Sequence, residues 1–496
     1  MAFGLLFGRV ERGVPMPRIR PKERRSFFAG AATIAAVLIP AALAFAEDAA
    51  PPKIDTGDTA WMLTSSALVL MMTAPGLALF YGGLVRGKNV LSVLMQSFIL
   101  MAVISIQWVV YGYSLAFGPD HWGVVGGLDW FGMNGVGADP NADYAATIPH
   151  MLFSAYQMMF AVITPALITG AFAERMKFSA FLVFSILWAT LVYDPLAHMV
   201  WGYKGMLGLS GGWGALDFAG GTVVHISSGF SALITAFWLG KRVGFGSDPM
   251  PPHNLPFTLV GAALLWVGWF GFNAGSALAS NGLAVSAFVA TNTGAAAAAL
   301  TWMFAEWLAN GKPTMLGAAS GAVAGLVAIT PASGFVTPMA SIAVGGIAGV
   351  VCWYACSLKM KIKAYDDALD VVGVHCVGGT WGAIATGLFA STAVNSVVKT
   401  QGLFVSGEMG QVIVQVKAVV ITFLLAGILT PVCLAITSAV CGGIRVDEDD
   451  EFSGLDISQH SENAYVFAAA GGYESAASGT TARAEKAAIR HAEAAQ

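Results

Sequence analysis

Eleven times along this chain an apolar stretch of roughly 20 residues runs almost free of charge, long enough as a helix to cross a hydrocarbon layer ~30 Å thick. No other feature narrows the fold so far. Lipid offers backbone groups no partners, so only helices and closed barrels can satisfy themselves inside it. The stretches lie near 59–82, 90–117, 148–173, 178–202, 219–240, 255–280, 283–309, 313–330, 336–358, 371–392 and 411–440. Composition agrees, with 56% of the 496 residues hydrophobic and 11% charged, against about 25% charged in soluble domains. The expectation is an all-α integral membrane protein of eleven transmembrane helices, with one membrane domain over 55–440.

The flanks carry the topology. Arg18, Arg20, Lys22, Arg24 and Arg25 precede an apolar run from Phe27 to Phe45, and Ala44, Phe45 and Ala46 form a small-x-small cleavage pattern. Residues 1–46 therefore read as a signal peptide cleaved after Ala46, with an uncleaved helix as the alternative and Met16 as a second start that gives a more ordinary length. With the mature N-terminus outside, the inward loops hold Arg86, Lys88, Arg175, Lys177, Lys241, Arg242, Lys312, Lys359, Lys361 and Lys363, against Lys204 and Lys399 outward. Ten against two satisfies the positive-inside rule in the cell (inner) membrane and puts the C-terminus in the cytoplasm. Residues 441–465 form a charged cytoplasmic tail. From 466 to 496 the chain turns to Ala, Gly, Ser, Glu and Lys, the composition of a disordered extension.

Several function classes drop out. The net charge of -4 leaves no electrostatic footprint for nucleic acid. The five cysteines make no C-x-x-C pair. Cys352 and Cys356, one helical turn apart, read as core residues. No nucleophile–base pair, phosphate loop or metal-ligand set is legible, so the reading is not an enzyme and calls for no cofactor.

An odd number of spans permits two halves of five in opposite orientation plus an added eleventh helix, the pattern of an inverted repeat. The internal echo is Asp217 to His225 (DFAGGTVVH) opening the fifth span and Asp370 to His375 (DVVGVH) opening the tenth. A two-fold axis in the membrane plane would bring His225 and His375 together near mid-depth, where imidazoles can bind a small polar molecule or pass a proton. A lone intramembrane histidine is more often a helix–helix hydrogen bond; two at matching positions favour function. Asp217 reads as the N-cap of the fifth helix, accepting from Gly220 and Gly221, or as electrostatic support for a cation at the pore mouth. Asp370, accompanied by Asp366 and Asp367, has the same capping reading. The 59 glycines, Gly321, Gly325, Gly345, Gly346 and Gly349 among them, suit close helix packing in lipid.

Tyr156, Phe160, Trp201, Trp269 and Phe272 fall toward the outward halves of their helices. Aromatic faces attract cations by ~0.5–2 kcal/mol each, although any one of them could instead belong to an interfacial belt. Ser276, one turn after Phe272, adds a hydroxyl to what reads as a cage for a small cation.

These residues lie within long motifs: Pro75 to Gly83 (PGLALFYGG) with Arg86 to Asn89 (RGKN), Ala197 to Trp201 (AHMVW), Asp217 to His225, Trp269 to Ser276 (WFGFNAGS), and Asp370 to His375. Across roughly 55–465 the chain resembles the ammonium transporters of the Amt/Mep/Rh superfamily, bacterial Amt branch. The resemblance implies a homotrimer with one pore per subunit, taking up ammonium, with methylammonium as an analogue. It implies an outer recruitment site of Tyr156, Phe160, Trp201 and Ser276, a gate of Phe160 and Phe272, and twin pore histidines His225 and His375 supported by Asp217 and Trp269. The tail, 443–465, is similar to the family tail and implies docking between subunits and a PII-type signalling partner. Tyr156 stands where the family usually has Phe, and Met158 and Met159 where smaller residues are common. Two other readings stay open: an ammonium sensor signalling through the tail, and a neutral gas channel of the Rh kind.

Overall fold

The computed structural model describes residues 53–465; the expected signal peptide and C-terminal extension lie outside them. Ten helices in this region are long and apolar enough to cross a membrane. In chain order they are α1 (Thr56–Leu84), α2 (Gly87–Phe117), α3 (His150–Phe172), α4 (Phe178–Trp201), α5 (Gly221–Leu239), α6 (Leu255–Ala277), α7 (Gly282–Asn310), α9 (Pro338–Ile362), α10 (Val372–Phe389) and α11 (Gly410–Cys441). Between α7 and α9 sits α8 (Met315–Ile329), apolar and 15 residues long, short of the ~20 that span a bilayer upright. Every expected stretch is thus a helix, with ends shifted by a few residues.

The helices start where polar side chains take up the first free N–H groups. Asp55 caps α1 through Asp58, Asn254 caps α6 through Phe257, Asn281 caps α7, Thr314 caps α8 and Thr337 caps α9. Leu63, Phe98, Ile106, Leu308, Leu424 and Ile428 point outward from their helices and are exposed. An apolar exterior of this kind suits contact with lipid rather than water.

Five spans are not regular α-helices. They contain π-helical turns at Met72–Leu77, Trp108–Gly112, Ala189–Tyr193, Gly221–Ile226 and Val372–Val377. Pro75, lacking an N–H, lies in the first. Such turns widen the helix locally and recur at functional sites; the last two carry His225 and His375.

Small residues set the closest helix contacts. A Cβ at Gly345 in α9 would stand 2.0 Å from the carbonyl oxygen of Gly294 in α7. A Cβ at Gly229 in α5 would stand 2.2 Å from the backbone nitrogen of Cys376 in α10. Gly229 therefore fixes the crossing that brings the two histidine-bearing helices together. Gly229→Ala is expected to force them apart at a cost of about 1–3 kcal/mol. A thermal unfolding midpoint equal to wild type would refute this.

At one end of the bundle the tail folds back as two short helices, α12 (Glu448–Ser453) and α13 (Leu455–His460). Glu451, 1% exposed, accepts from Val243 N at 2.6 Å and Arg445 Nη2 at 2.7 Å. Lys88 Nζ donates to the carbonyls of Glu451 and Phe452, and Asp456 accepts from Ser92 N at 2.8 Å, near the start of α2. The same end holds a buried ionic cluster, in which Glu174 bridges Arg86 (2.7 Å) and Arg242 (3.1 Å), and Arg242 continues to Asp366 (2.8 Å).

Candidate functional site

At the end opposite the tail, a cavity of about 210 Å³ is lined by Tyr144, Phe153, Gln157, Phe160, Trp201, Asp217, Phe218 and Ser276, among others. Its floor is aromatic. Phe160 and Phe272 overlap with ring centroids 4.3 Å apart, and Trp201 stands edge-on to Phe160 at 5.9 Å. Trp201 is fixed by its indole N–H, which donates to the carbonyl of Asp217 over 2.9 Å.

Beneath the rings lies a constriction with room for only about 10 Å³, lined by Ile163, Val224, Leu265, Trp269, Phe272 and both histidines, among others. A space of that size holds one small molecule at most. Below it a second cavity of about 240 Å³ opens toward the tail end, sharing Phe80, Val323 and His375 with the constriction.

His225 and His375 face each other with Nδ1 atoms 3.2 Å apart and ring centroids 5.3 Å apart, at 26°. The imidazoles stack in line with Trp269 and Phe272, at 5.6 and 6.1 Å from His225. A hydrogen bond between two Nδ1 atoms needs one donor and one acceptor. One ring then carries its proton on Nδ1 and the other on Nε2, leaving one Nε2 as acceptor and one as donor. His225 Nε2 is buried and meets no partner among the described residues.

Asp217 is engaged as a cap. Its carboxylate accepts from the N–H groups of Gly220 (2.7 Å), Gly221 (2.6 Å) and Thr222 (2.7 Å) and from the Thr222 hydroxyl. It also borders the upper cavity, so capping and facing a ligand are compatible.

Three sequence expectations need correction. Asp370 does not cap the tenth helix: it takes a left-handed backbone, φ 61°, and pairs with Lys359 at 2.5 Å. Asp367 does the capping, accepting from Val372 N at 2.8 Å, as Asp217 accepts from Thr222. Each of these aspartates lies eight residues before its histidine, a register visible by counting back from the histidines. Trp269 is not part of an outer cage; it lies beside His225, its N–H held by Thr330 Oγ1 at 2.8 Å. Tyr156 is fully buried behind Phe160, and its hydroxyl reaches the carbonyls of Gly271 and Phe272 at 2.9 Å and Ser276 Oγ at 3.1 Å. The added hydroxyl thus ties α3 to the end of α6. Phe160, Phe272, Trp201 and Ser276 do converge.

A helical bundle apolar on its outside, with two cavities joined through a constriction holding two imidazoles, defines a multi-pass membrane protein of the transporter class. The family model described as Ammonium Transporter Family matches residues 60–465. An ammonium transporter of Bacillus subtilis is 55% identical over 415 residues, covering 82% of this chain and 98% of its own. The chain belongs to the ammonium transporter family. Among solved structures, Saccharomyces cerevisiae Mep2 superposes with a TM-score of 0.74 at 36% identity, covering 80% of this chain and 89% of its own. A structure described as a sensor Amt protein has a TM-score of 0.72 at 26% identity, over 82% and 98%.

Proposed function

We propose that the chain carries ammonium across the membrane by recruiting the cation in the upper cavity, removing its proton, and conducting ammonia past the twin histidines. The observation that supports this most is the 3.2 Å imidazole pair directly below the closely packed Phe160 and Phe272 rings. Phe160, Trp201 and Ser276 form the recruitment site and Tyr156 holds it from behind. Phe160 and Phe272 are the gate, with Asp217 and Trp269 as supports. The aromatic faces draw a cation in, and the Ser276 hydroxyl oxygen accepts from it.

Selectivity follows from desolvation. An ion crossing the constriction forfeits hydration worth tens of kcal/mol, whereas ammonia loses only a few hydrogen bonds. Ammonia can donate to the free Nε2 of one histidine and accept from the Nε2–H of the other. Potassium, carrying no removable proton, is turned back at the rings.

The orientation is the upper cavity outside and the tail in the cytoplasm, in keeping with the charge bias of the loops. Eleven spans arranged as an inverted five-plus-five repeat with an added helix are supported by the matched Asp217–Thr222 and Asp367–Val372 caps. A homotrimer and a PII-type partner at the tail face rest on the family likeness. The sensor reading draws on the docked tail and is distinguished by uptake: ligand binding without methylammonium flux would favour it. Flux without current would favour the gas-channel reading.

The decisive measurement is the current evoked by an ammonium jump on a solid-supported membrane. With His225→Ala and His375→Ala combined, the ammonium current is expected to fall at least tenfold or to lose discrimination against potassium. Current and selectivity matching wild type would remove the histidines from the mechanism.

A further inference from the structure

Spans two and four share a buried carboxyl that lines neither cavity nor the constriction. Asp194 in α4 is 0% exposed and follows directly on the π-helical turn Ala189–Tyr193. Gln107 in α2 is 5% exposed and directly precedes the turn Trp108–Gly112. The Gln107 amide N–H donates to Asp194 Oδ2 over 2.7 Å. The two remaining oxygens, Asp194 Oδ1 and Gln107 Oε1, are both buried and accept from nothing among the described residues.

Asp194 makes no ion pair among the described residues. Tyr193, next in the chain, has a buried hydroxyl that likewise meets no partner there. His198, one turn further along α4, has its ring nitrogens facing Ala116 O at 3.1 Å and Asp120 Oδ1 at 3.0 Å. An ionised carboxylate would therefore sit inside the membrane with a single neutral donor, an arrangement membrane proteins avoid. Carboxylate and amide oxygens are both acceptors, so the pair lacks a donor as well as a charge partner.

We infer that Asp194 and Gln107 form a proton-binding site, in which Asp194 is carried as the neutral acid and its O–H is donated to Gln107 Oε1. One proton supplies the missing donor and removes the charge at once. A water would supply donors and leave the charge; a metal cation would need a shell of several oxygens. The result is a closed acid–amide pair linking α2 to α4. Because α4 ends at Trp201, this proton braces the wall of the upper cavity without entering the passage.

The test is infrared difference spectroscopy on the full-length protein in lipid vesicles, comparing wild type with Asp194→Asn. The wild type is expected to show the carbonyl band of a hydrogen-bonded protonated carboxyl that Asp194→Asn lacks, while methylammonium uptake stays within twofold. Gln107→Ala supplies a second reading should that variant not fold: loss of its hydrogen bonds moves the same band to higher frequency. A difference spectrum without the band, or a band unmoved by Gln107→Ala, overturns the assignment. So does a thermal midpoint raised by sodium over choline in wild type but not in Asp194→Asn, which would make the occupant a metal ion. The infrared band and the thermal midpoint do not depend on transport, so failure of the transport reading leaves them intact.

Discussion

Asp217→Ala is expected to cost at least about 3 kcal/mol of stability, since hydrogen bonds to a charged group contribute ~1.5–3 kcal/mol each and four donors converge on this carboxylate. Two of them are the first free N–H groups of α5 and a third belongs to the residue before it, Gly220, where the chain enters its π-helical turn at φ 116°. Losing the cap frays the turn that carries His225 and releases the Asp217 carbonyl that orients Trp201. Methylammonium uptake should fall more than tenfold. Asp217→Asn keeps one acceptor oxygen and should fall between. An alanine variant with normal uptake and an unchanged unfolding midpoint would show that the carboxylate holds nothing.

The second large effect is expected at the opposite end. Glu174 is buried between Arg86 and Arg242, with Arg242 also held by Asp366. Glu174→Gln would leave two guanidinium groups short of a counter-charge, and breaking a buried pair from one side costs about 3–5 kcal/mol. Burial alone would push the Glu174 carboxyl up, but Arg242 and Arg86 outweigh it and hold it below its ordinary 4.5. Burial likewise opposes Arg242 and Arg175 at Asp366, and there too the carboxyl is held below its ordinary 3.8. Groups depressed in the folded state stabilise it fully above their unfolded values and lose that contribution as pH falls through the folded ones. The wild-type midpoint should therefore hold above about pH 5 and drop more steeply below pH 4 than that of Glu174→Gln. Parallel acid curves for the two proteins would rule the cluster out as a source of acid sensitivity.

Much of this architecture was legible because lipid imposes a single strong demand. A run such as 411–440, with Lys417 its one charged residue, can hardly be anything but a spanning helix, and the structure has Gly410–Cys441. His225, His375 and Asp217 stood out for the complementary reason, polar groups being too costly in a membrane to be there by accident. What sequence could not supply was depth and register. Tyr156, Phe160 and Trp269 are all aromatic residues in spans, and only the packing separates the ring behind the cavity from the ring in its floor and the ring beside the histidines. Asp370 adjoins the apolar run and so reads as a cap in the sequence, whereas the π-helical turn begins where Asp367 can reach Val372. Glu174 and Asp366 are acidic residues in loops whose partners Arg86 and Arg242 lie dozens of residues away in sequence.

The five wide turns bear on how such a chain can change over time. A π-helical turn arises where one extra residue is accommodated without breaking the helix, so deleting a single residue from Gly221–Ile226 would let α5 relax to ordinary pitch. The flanking segments would keep their faces, but His225, which lies within the turn, would lose the bulged position from which it meets His375. A change of length at such a turn would therefore be felt first by the histidine it carries and least by the rest of its helix.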